Sequence, residues 1–151
     1  MPRPHRPNPA RRRSVALLGF VATLCLLTAC LKPGQSQVLS EMNADRTSNR
    51  YSALTTQADA QRKAQAWAEK LARENTLYHS NLPDGIQGHV RWCSIGENVG
   101  YGPSVAAIED AYMKSPGHRA NILNAKWNGV GVGTAKNGNR TFTVQVFIKT
   151  C

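Results

Sequence analysis

The sequence contains no apolar run long enough to cross a membrane comfortably as a helix. Its longest largely apolar run, Val15 to Leu27, has 13 residues, whereas a membrane-spanning helix needs about 20. Before this run lies a Pro- and Arg-rich segment without acidic residues, as is typical of a signal peptide. The sequence therefore predicts export of the chain rather than integration through a transmembrane domain.

The chain also lacks the long basic clusters that are typical of nucleic-acid-binding proteins. Its formal net charge is +10, but five of its arginines and none of its acidic residues lie in residues 1–30. The remainder holds 14 Lys and Arg against 9 Asp and Glu, a balance of +5, and its longest basic run is Arg62-Lys63. Such a surface favours solubility and loose attraction to anionic polymers of a cell envelope. We therefore expect no nucleic-acid partner.

Leu27-Thr28-Ala29-Cys30 follows the apolar run and resembles a bacterial lipobox, in which small residues precede a cysteine that is lipidated on its thiol. We therefore predict that residues 1–30 are a signal peptide of lipoprotein type and that lipidated Cys30 anchors the chain to a membrane. Residues 31–36, with a Pro-Gly pair and polar ends, are predicted to form a short tether. An uncleaved anchor and ordinary secretory cleavage are the alternatives, and all three put the domain outside the cytoplasm. The Arg11-Arg12-Arg13 triplet leaves the export route open between the general and the twin-arginine systems.

Only four cysteines occur, and their positions separate them by role. Cys25 lies in the apolar run and leaves with it, while Cys30 is the lipidation candidate. Cys93 and Cys151 remain, and an even pair in an oxidising compartment predicts a disulfide. Metal ligation by these two cysteines is the weaker alternative, because neither belongs to a paired Cys-x-x-Cys motif.

The spacing of apolar residues and the turn signals predict helices and strands in mixed order. The predicted helices are residues 38–46, 57–75, 105–114 and 117–124. The predicted strands are residues 90–99, 129–135 and 141–149, with a loop at 100–103 and a hairpin turn at Asn137-Gly138. The fold class predicted from this order is α+β, with a small antiparallel sheet covered by helices on both faces. The Gly-Val alternation from Gly129 does not match a dinucleotide-binding motif, because no helix follows it.

Three titratable residues are candidates for chemistry, one from each of three predicted elements. His79 follows the second helix, Glu97 lies late in the first strand, and His118 lies in the first turn of the short helix. Ser115 is placed to cap that turn, with Pro116 at its first position. Each candidate also has a structural interpretation, since a lone histidine is more often a hydrogen-bonding residue than a ligand. No periodicity in the sequence brings the three together.

Five motifs then follow one another along the chain. They are His79-Ser80-Asn81, Gly96-Glu97-Asn98 with Tyr101-Gly102, Ser115 to Leu123, Val130 to Gly133, and Gln145 to Phe147. In this order they resemble the CAP superfamily, the SCP-domain group of cysteine-rich secretory proteins, antigen 5 and pathogenesis-related proteins, in its bacterial branch. The resemblance implies a CAP domain over residues 37–151 with a three-layer α-β-α sandwich fold. It also implies that His79, Glu97 and His118 share one solvent-accessible cavity.

The sequence departs from this family at the position where many members carry a second cavity acid. Ser115 stands at that position and would line the cavity. The set of His79, Glu97 and His118 is a His₂Glu set, which leaves one position open on Zn²⁺. We therefore expect weak binding of Zn²⁺ or another divalent metal, with no further cofactor.

Two classes of function are compatible with these residues. The first is an extracytoplasmic module of the bacterial cell envelope that binds a metal or a small apolar or envelope-derived ligand. The second is a metal-assisted or His/Glu-assisted hydrolase acting on peptides or cell-wall material, with His79, Glu97 and His118 as its catalytic residues. The binding module is the preferred hypothesis, because Ser115 replaces an acid and no nucleophile is evident.

Overall fold

A computed structural model describes Met1, residues 30–86 and residues 90–151. The predicted signal peptide, including Cys25 and most of the lipobox, lies outside the described residues. The chain divides into two compact units, Met1–Cys30 and Leu31–Cys151, and every element named below belongs to the second. Within the described part, no helix has the length and apolar character needed to span a bilayer.

The described residues of the second unit form four helices and three strands, in the order that the sequence predicts. The helices are α1 (Pro33–Ser48), α2 (Ala58–Glu74), α3 (Val105–Lys114) and α4 (Pro116–Ile122). The strands are β1 (Trp92–Gly102), β2 (Gly129–Asn137) and β3 (Arg140–Thr150).

The three strands form one antiparallel sheet in the order β1-β3-β2. On one face of the sheet, Phe142 and Val144 of β3 pack with the alanine stripe of α2. On the other face, Val130 and Phe147 pack with apolar residues of α1, α3 and α4. The predicted three-layer α-β-α sandwich is therefore confirmed.

Helix α2 lies unusually close to strand β2. A Cβ atom built on Gly131 would lie 2.0 Å from the carbonyl carbon of Ala60, so only glycine allows this approach. Gln61 of α2 links the helix to the strand: its side-chain amide donates to Val132 O at 2.7 Å and accepts from Val132 N at 2.9 Å. Gln65 does the same with the backbone of Thr134 at 3.1 Å. The two glutamines thereby pair the outer edge of β2, which no strand covers among the described residues.

Two predicted boundaries are wrong. Helix α1 begins at Pro33, so most of the predicted tether at residues 31–36 is the first turn of a helix, and Leu31 packs against the core. Proline is compatible with the first helical position, where no intrahelical partner needs its N–H. The predicted loop at residues 100–103 is mostly strand, because β1 continues to Gly102 by pairing with Thr141 to Thr143 of β3.

A disulfide joins Cys93 near the start of β1 to Cys151 after β3, with a Cα–Cα distance of 5.3 Å. The predicted pairing is therefore found. The two cysteines are 58 residues apart, so the chain-entropy model assigns the link about 4 kcal/mol of stabilisation. The link holds the end of the central strand β3 against the edge strand β1.

A buried polar network joins the sheet to α3. The side chain of Asn98 donates to Gln145 Oε1 at 3.0 Å, and Gln145 donates to Glu109 Oε2 at 2.6 Å. Glu109 Oε1 is buried and has no hydrogen-bond partner among the described residues. Burial raises the pKa of Glu109 to about 8, and the neighbouring carboxylates Asp45 and Glu41 on α1 add to the effect. The carboxyl group of Glu109 therefore keeps its proton at neutral pH.

This protonated acid predicts a stability that falls as pH rises. Between about pH 4.5 and 8, folded Glu109 retains a proton that the unfolded chain releases, so each pH unit costs up to about 1.4 kcal/mol. Glu109→Gln keeps a neutral side chain of the same shape, so we expect its stability to be flatter over this range and higher at pH 8. Urea unfolding at several pH values measures the difference.

Asp110→Asn is the matched control, because it removes an exposed carboxylate from the same helix whose charge is the smallest of the causes that raise the pKa of Glu109. Its pH dependence should follow that of the unmodified chain. Parallel curves for Glu109→Gln and the unmodified chain between pH 5 and 8 would contradict a protonated Glu109.

Candidate functional site

His79 lies five residues beyond the end of α2. Asn75 caps the helix, and its left-handed backbone (φ 49°) ends the helical path of the chain. The side chain of His79 is 62% exposed, and its Nδ1 lies 2.9 Å from Glu97 Oε1. One ring nitrogen is thus directed at a carboxylate, which leaves Nε2 as the nitrogen available to an external group.

Glu97 lies in β1 opposite Val146, and its side chain is only 1% exposed. Besides His79, it accepts hydrogen bonds from Ser80 N at 2.9 Å and from Ser80 Oγ at 2.6 Å. Three donors satisfy the buried carboxylate and hold it in one orientation. Glu97 therefore fixes the position of the loop that carries His79.

Ser80 is a site residue that the sequence reasoning quoted but gave no role. Its backbone and hydroxyl supply two of the three donors to Glu97. In the sequence, the position of Ser80 directly after His79 in one motif indicates this role, because a hydroxyl beside a histidine can donate to the carboxylate that the histidine contacts.

His118 lies in the first turn of α4, as predicted, with Pro116 at the start of the helix. Ser115 occupies the N-cap position, but its side chain makes no capping hydrogen bond. Two contacts hold α4 in place: Asn98 Nδ2 donates to His118 O at 3.2 Å, and buried Arg46 donates to Ile122 O. Ser115 therefore occupies the predicted N-cap position without making the capping hydrogen bond.

The ring of His118 packs beside Tyr112, with centroids 4.9 Å apart. Burial lowers the pKa of His118, and the nearby imidazole of His79 lowers it further. His118 is therefore a neutral imidazole at pH 7, able to accept or donate a hydrogen bond or to ligate a metal.

A cavity of about 230 Å³ opens beside His118. Its walls are mainly apolar and aromatic, and Ser115 and His118 supply its polar groups. The main lining residues are Leu77, Val99, Tyr101, Ile108, Tyr112 and Ser115. Leu77 and Tyr101 are two of the few large apolar side chains that the described surface exposes.

Two of the three predicted site residues, His79 and Glu97, are in direct hydrogen-bond contact. His118 instead lines the cavity, and it lies near enough to His79 for the charge of His79 to lower its pKa. Within residues 30–86 and 90–151, no cluster of three His, Cys, Asp or Glu has the geometry of a metal site. Cys30 is exposed and forms no disulfide with any cysteine that the structure describes.

Comparison with known proteins identifies relatives along most of the chain. Residues 39–148 match the model of the Cysteine-rich secretory protein family, CAP. The chain is 30% identical over 125 residues to "Uncharacterized membrane protein YlbC" of Bacillus subtilis (strain 168). This alignment covers 76% of the chain but 34% of the relative, so the chain spans about a third of that protein's length.

Solved structures of similar fold include two bacterial proteins. An outer surface protein from Borrelia burgdorferi superposes with a TM-score of 0.71 at 19% identity, covering 80% of this chain and 95% of the other. An extracellular SCP-domain protein from Bacillus anthracis str. Ames superposes with a TM-score of 0.67 at 24% identity, covering 82% and 45%. At these identities the likeness shows the fold. With the family match over residues 39–148, it establishes that the chain belongs to the CAP family of cysteine-rich secretory proteins.

Proposed function

We propose that this CAP domain is an extracytoplasmic binding module whose cavity beside His118 takes a small apolar molecule carrying one polar group. The observation that carries the proposal is the composition of that cavity: apolar and aromatic walls with two polar side chains, His118 and Ser115. Small-molecule sites commonly have this character, because burial of apolar surface supplies affinity and a few polar groups fix orientation.

The dimensions of the cavity limit what it can hold. About 230 Å³ accommodates a short alkyl chain or one aromatic ring, and is smaller than the cavities typical of drug-sized ligands. A neutral His118 would pair with a hydroxyl or carbonyl of the ligand. A hydroxyl-bearing amphiphile is therefore the chemical class that fits best.

A second candidate function is metal binding, and a specific arrangement favours it. Glu97 holds Nδ1 of His79, as carboxylates often do behind metal-ligating histidines, so Nε2 is left for a metal. His118 would supply a second imidazole that is already neutral. A divalent metal bound there would act as a Lewis acid toward a cavity ligand or water.

Hydrolysis is the less favoured alternative. The carboxylate of Glu97 already accepts three hydrogen bonds and is almost fully buried, so it is poorly placed to take a proton from a substrate water. Ser115, where many family members carry an acid, adds no second carboxylate. The arrangement of Glu97 and Ser80 supports positioning of His79 rather than bond cleavage.

We also propose that lipidated Cys30 anchors the module to a membrane. Cys30 ends the lipobox-like sequence, has no disulfide partner among the described residues and precedes α1 by only two residues. The family's bacterial structures include extracellular and outer-surface proteins, which is compatible with this location.

The cavity proposal predicts binding of a simple amphiphile. We expect n-octanol to bind with measurable heat in a calorimetric titration, and Ala111→Trp to weaken it at least about tenfold. Ala111 lines the cavity from the exposed side of α3, so a tryptophan there fills the space without entering the core.

Ala106→Trp is the matched control, since Ala106 is exposed on the same helix and does not line the cavity. It should bind n-octanol like the unmodified chain. Equal affinity of the Ala111→Trp variant and the unmodified chain would place octanol elsewhere and remove the proposal.

The metal candidate predicts weak, reversible Zn²⁺ binding that needs both histidines. His79→Ala and His118→Ala should each abolish it, and Glu97→Gln should weaken it about tenfold or more by releasing His79. Affinity should fall at acidic pH, because both imidazoles must be neutral to ligate a metal. Titration calorimetry with Zn²⁺ at pH 7.5 and 5.5 provides the measurement.

Unchanged Zn²⁺ binding in both histidine variants would place the metal elsewhere.

The same protein samples, loaded with Zn²⁺, can be incubated with peptides and peptidoglycan to test for hydrolysis. Metal-dependent turnover that is lost in Glu97→Gln would favour the hydrolase over the binding module.

The anchor predicts covalent lipid on one residue. Metabolic labelling with a fatty-acid analogue should mark the chain in a bacterial host, and Cys30→Ala should remove the label completely. Cys25→Ala serves as the control, since it removes a thiol from the apolar run. Labelling that persists in Cys30→Ala would exclude lipidation at this site.

A further inference from the structure

We propose that a second cavity, at the end of the fold where α1 and α3 begin, binds a phosphate-class oxyanion. This cavity has a volume of about 370 Å³ and shares no lining residue with the cavity beside His118. Its lining includes Gly34 of α1, Ser104 and Val105 at the start of α3, Lys136 of β2 and Thr141 of β3. The site is therefore separate from the proposed function and does not depend on it.

Two helix N-termini meet at this cavity. Helix α1 has 16 residues and α3 has 10, and neither has an acidic residue in its first turn. The first N–H groups of a helix have no intrahelical acceptor and carry partial positive charge, so both ends favour an anion. At α3 the Ser104 hydroxyl accepts from Ala107 N at 3.2 Å, which satisfies one of these groups and leaves others for a ligand.

A buried hydroxyl group supplies the independent observation. Thr141 is only 4% exposed, and its side chain makes no hydrogen bond with any residue that the structure describes. Thr143, two residues along β3, bonds Tyr112 of α3, so Thr141 faces the same side of the sheet, where the cavity lies. The nearly buried hydroxyl of Thr141 thus has no described protein partner and faces the cavity, where an oxyanion would accept its hydrogen bond.

The described lining of this cavity carries positive charge and no negative charge. Lys136 is exposed at the rim, and no aspartate or glutamate lines the cavity among the described residues. An ammonium, a hydroxyl and the positive ends of two helices together match a phosphate group, which offers several acceptor oxygens and negative charge.

A phosphate of this kind could come from a lipid headgroup or from a soluble phosphate ester. Only Leu31 and Lys32 separate Cys30 from Pro33, which is about 10 Å of extended chain. A chain anchored through Cys30 would thus keep the start of α1 close to a bilayer surface. Lipidation of Cys30 bears only on the source of the phosphate, and the cavity does not depend on it.

The test uses the full chain in phosphatidylcholine nanodiscs and follows amide signals by NMR during titration with inorganic phosphate. Saturable shifts of the Gly34 and Val105 amides are expected, with chloride at equal ionic strength giving none. Thr141→Val should raise the dissociation constant about fivefold or more, and Lys136→Gln should do the same. Thr141→Ser, which keeps the hydroxyl, should bind like the unmodified chain.

Lys126→Gln is the charge control, because it removes an exposed lysine that does not line the cavity. Equal loss of binding in Lys126→Gln and Lys136→Gln would reduce the effect to general surface charge and overturn the proposal. Unchanged binding in Thr141→Val, or no saturable shift at all, would overturn it as well.

A second arm identifies the source of the phosphate. The same amide signals are compared in nanodiscs with and without phosphatidylglycerol. Shifts that appear only with phosphatidylglycerol and vanish in Thr141→Val support the site with a lipid headgroup as ligand. Equal signals in both nanodiscs, with inorganic phosphate still shifting them, support the site with a soluble phosphate ester as ligand.

Discussion

The contact between α2 and β2 at backbone distance is the constraint on which the rest of the structure depends. Gly131 and Gly133 have no Cβ, so the backbone of Ala60 and Ala64 lies directly against the strand. This closeness lets glutamine side chains of α2 reach the outer edge of β2 and bond its backbone in register. Because these contacts fix the position and orientation of α2, they also fix the position of its C-terminal end. The segment that follows this end places His79 beside Glu97.

The same contact shows what could be predicted from the sequence. Alternation of glycine with valine is typical of a strand that another backbone approaches closely, and an alanine stripe is typical of a closely packed helix. The structure shows both at this contact, because small residues leave few packing alternatives. The predicted tether and the loop at residues 100–103 failed for a different reason. Glycine and proline are compatible with several local conformations, and long-range pairing with β3 and packing of Leu31 decided between them.

The site could be predicted less well than the fold. His79, Glu97 and His118 come from separate elements, so hydrophobic periodicity could place each on its element but could not pair them; the family resemblance supplied that. The hydrogen bonds of Ser80 to Glu97 depend on loop geometry, which no periodic pattern encodes. The burial of Glu109 was equally hidden, because a glutamate on an amphipathic helix ordinarily faces solvent.

The strand order β1-β3-β2 has a consequence for how the protein is made. The central strand follows both of its neighbours in the chain, so β1 and β2 emerge from the ribosome before the strand that pairs them exists. Every ladder hydrogen bond of this sheet must therefore wait for β3. The β2–β3 pairs then form as a local hairpin, whereas the β1–β3 pairs join residues distant in sequence and assemble more slowly. A chain with this order therefore leaves the facing edges of β1 and β2 unpaired until β3 has been synthesised.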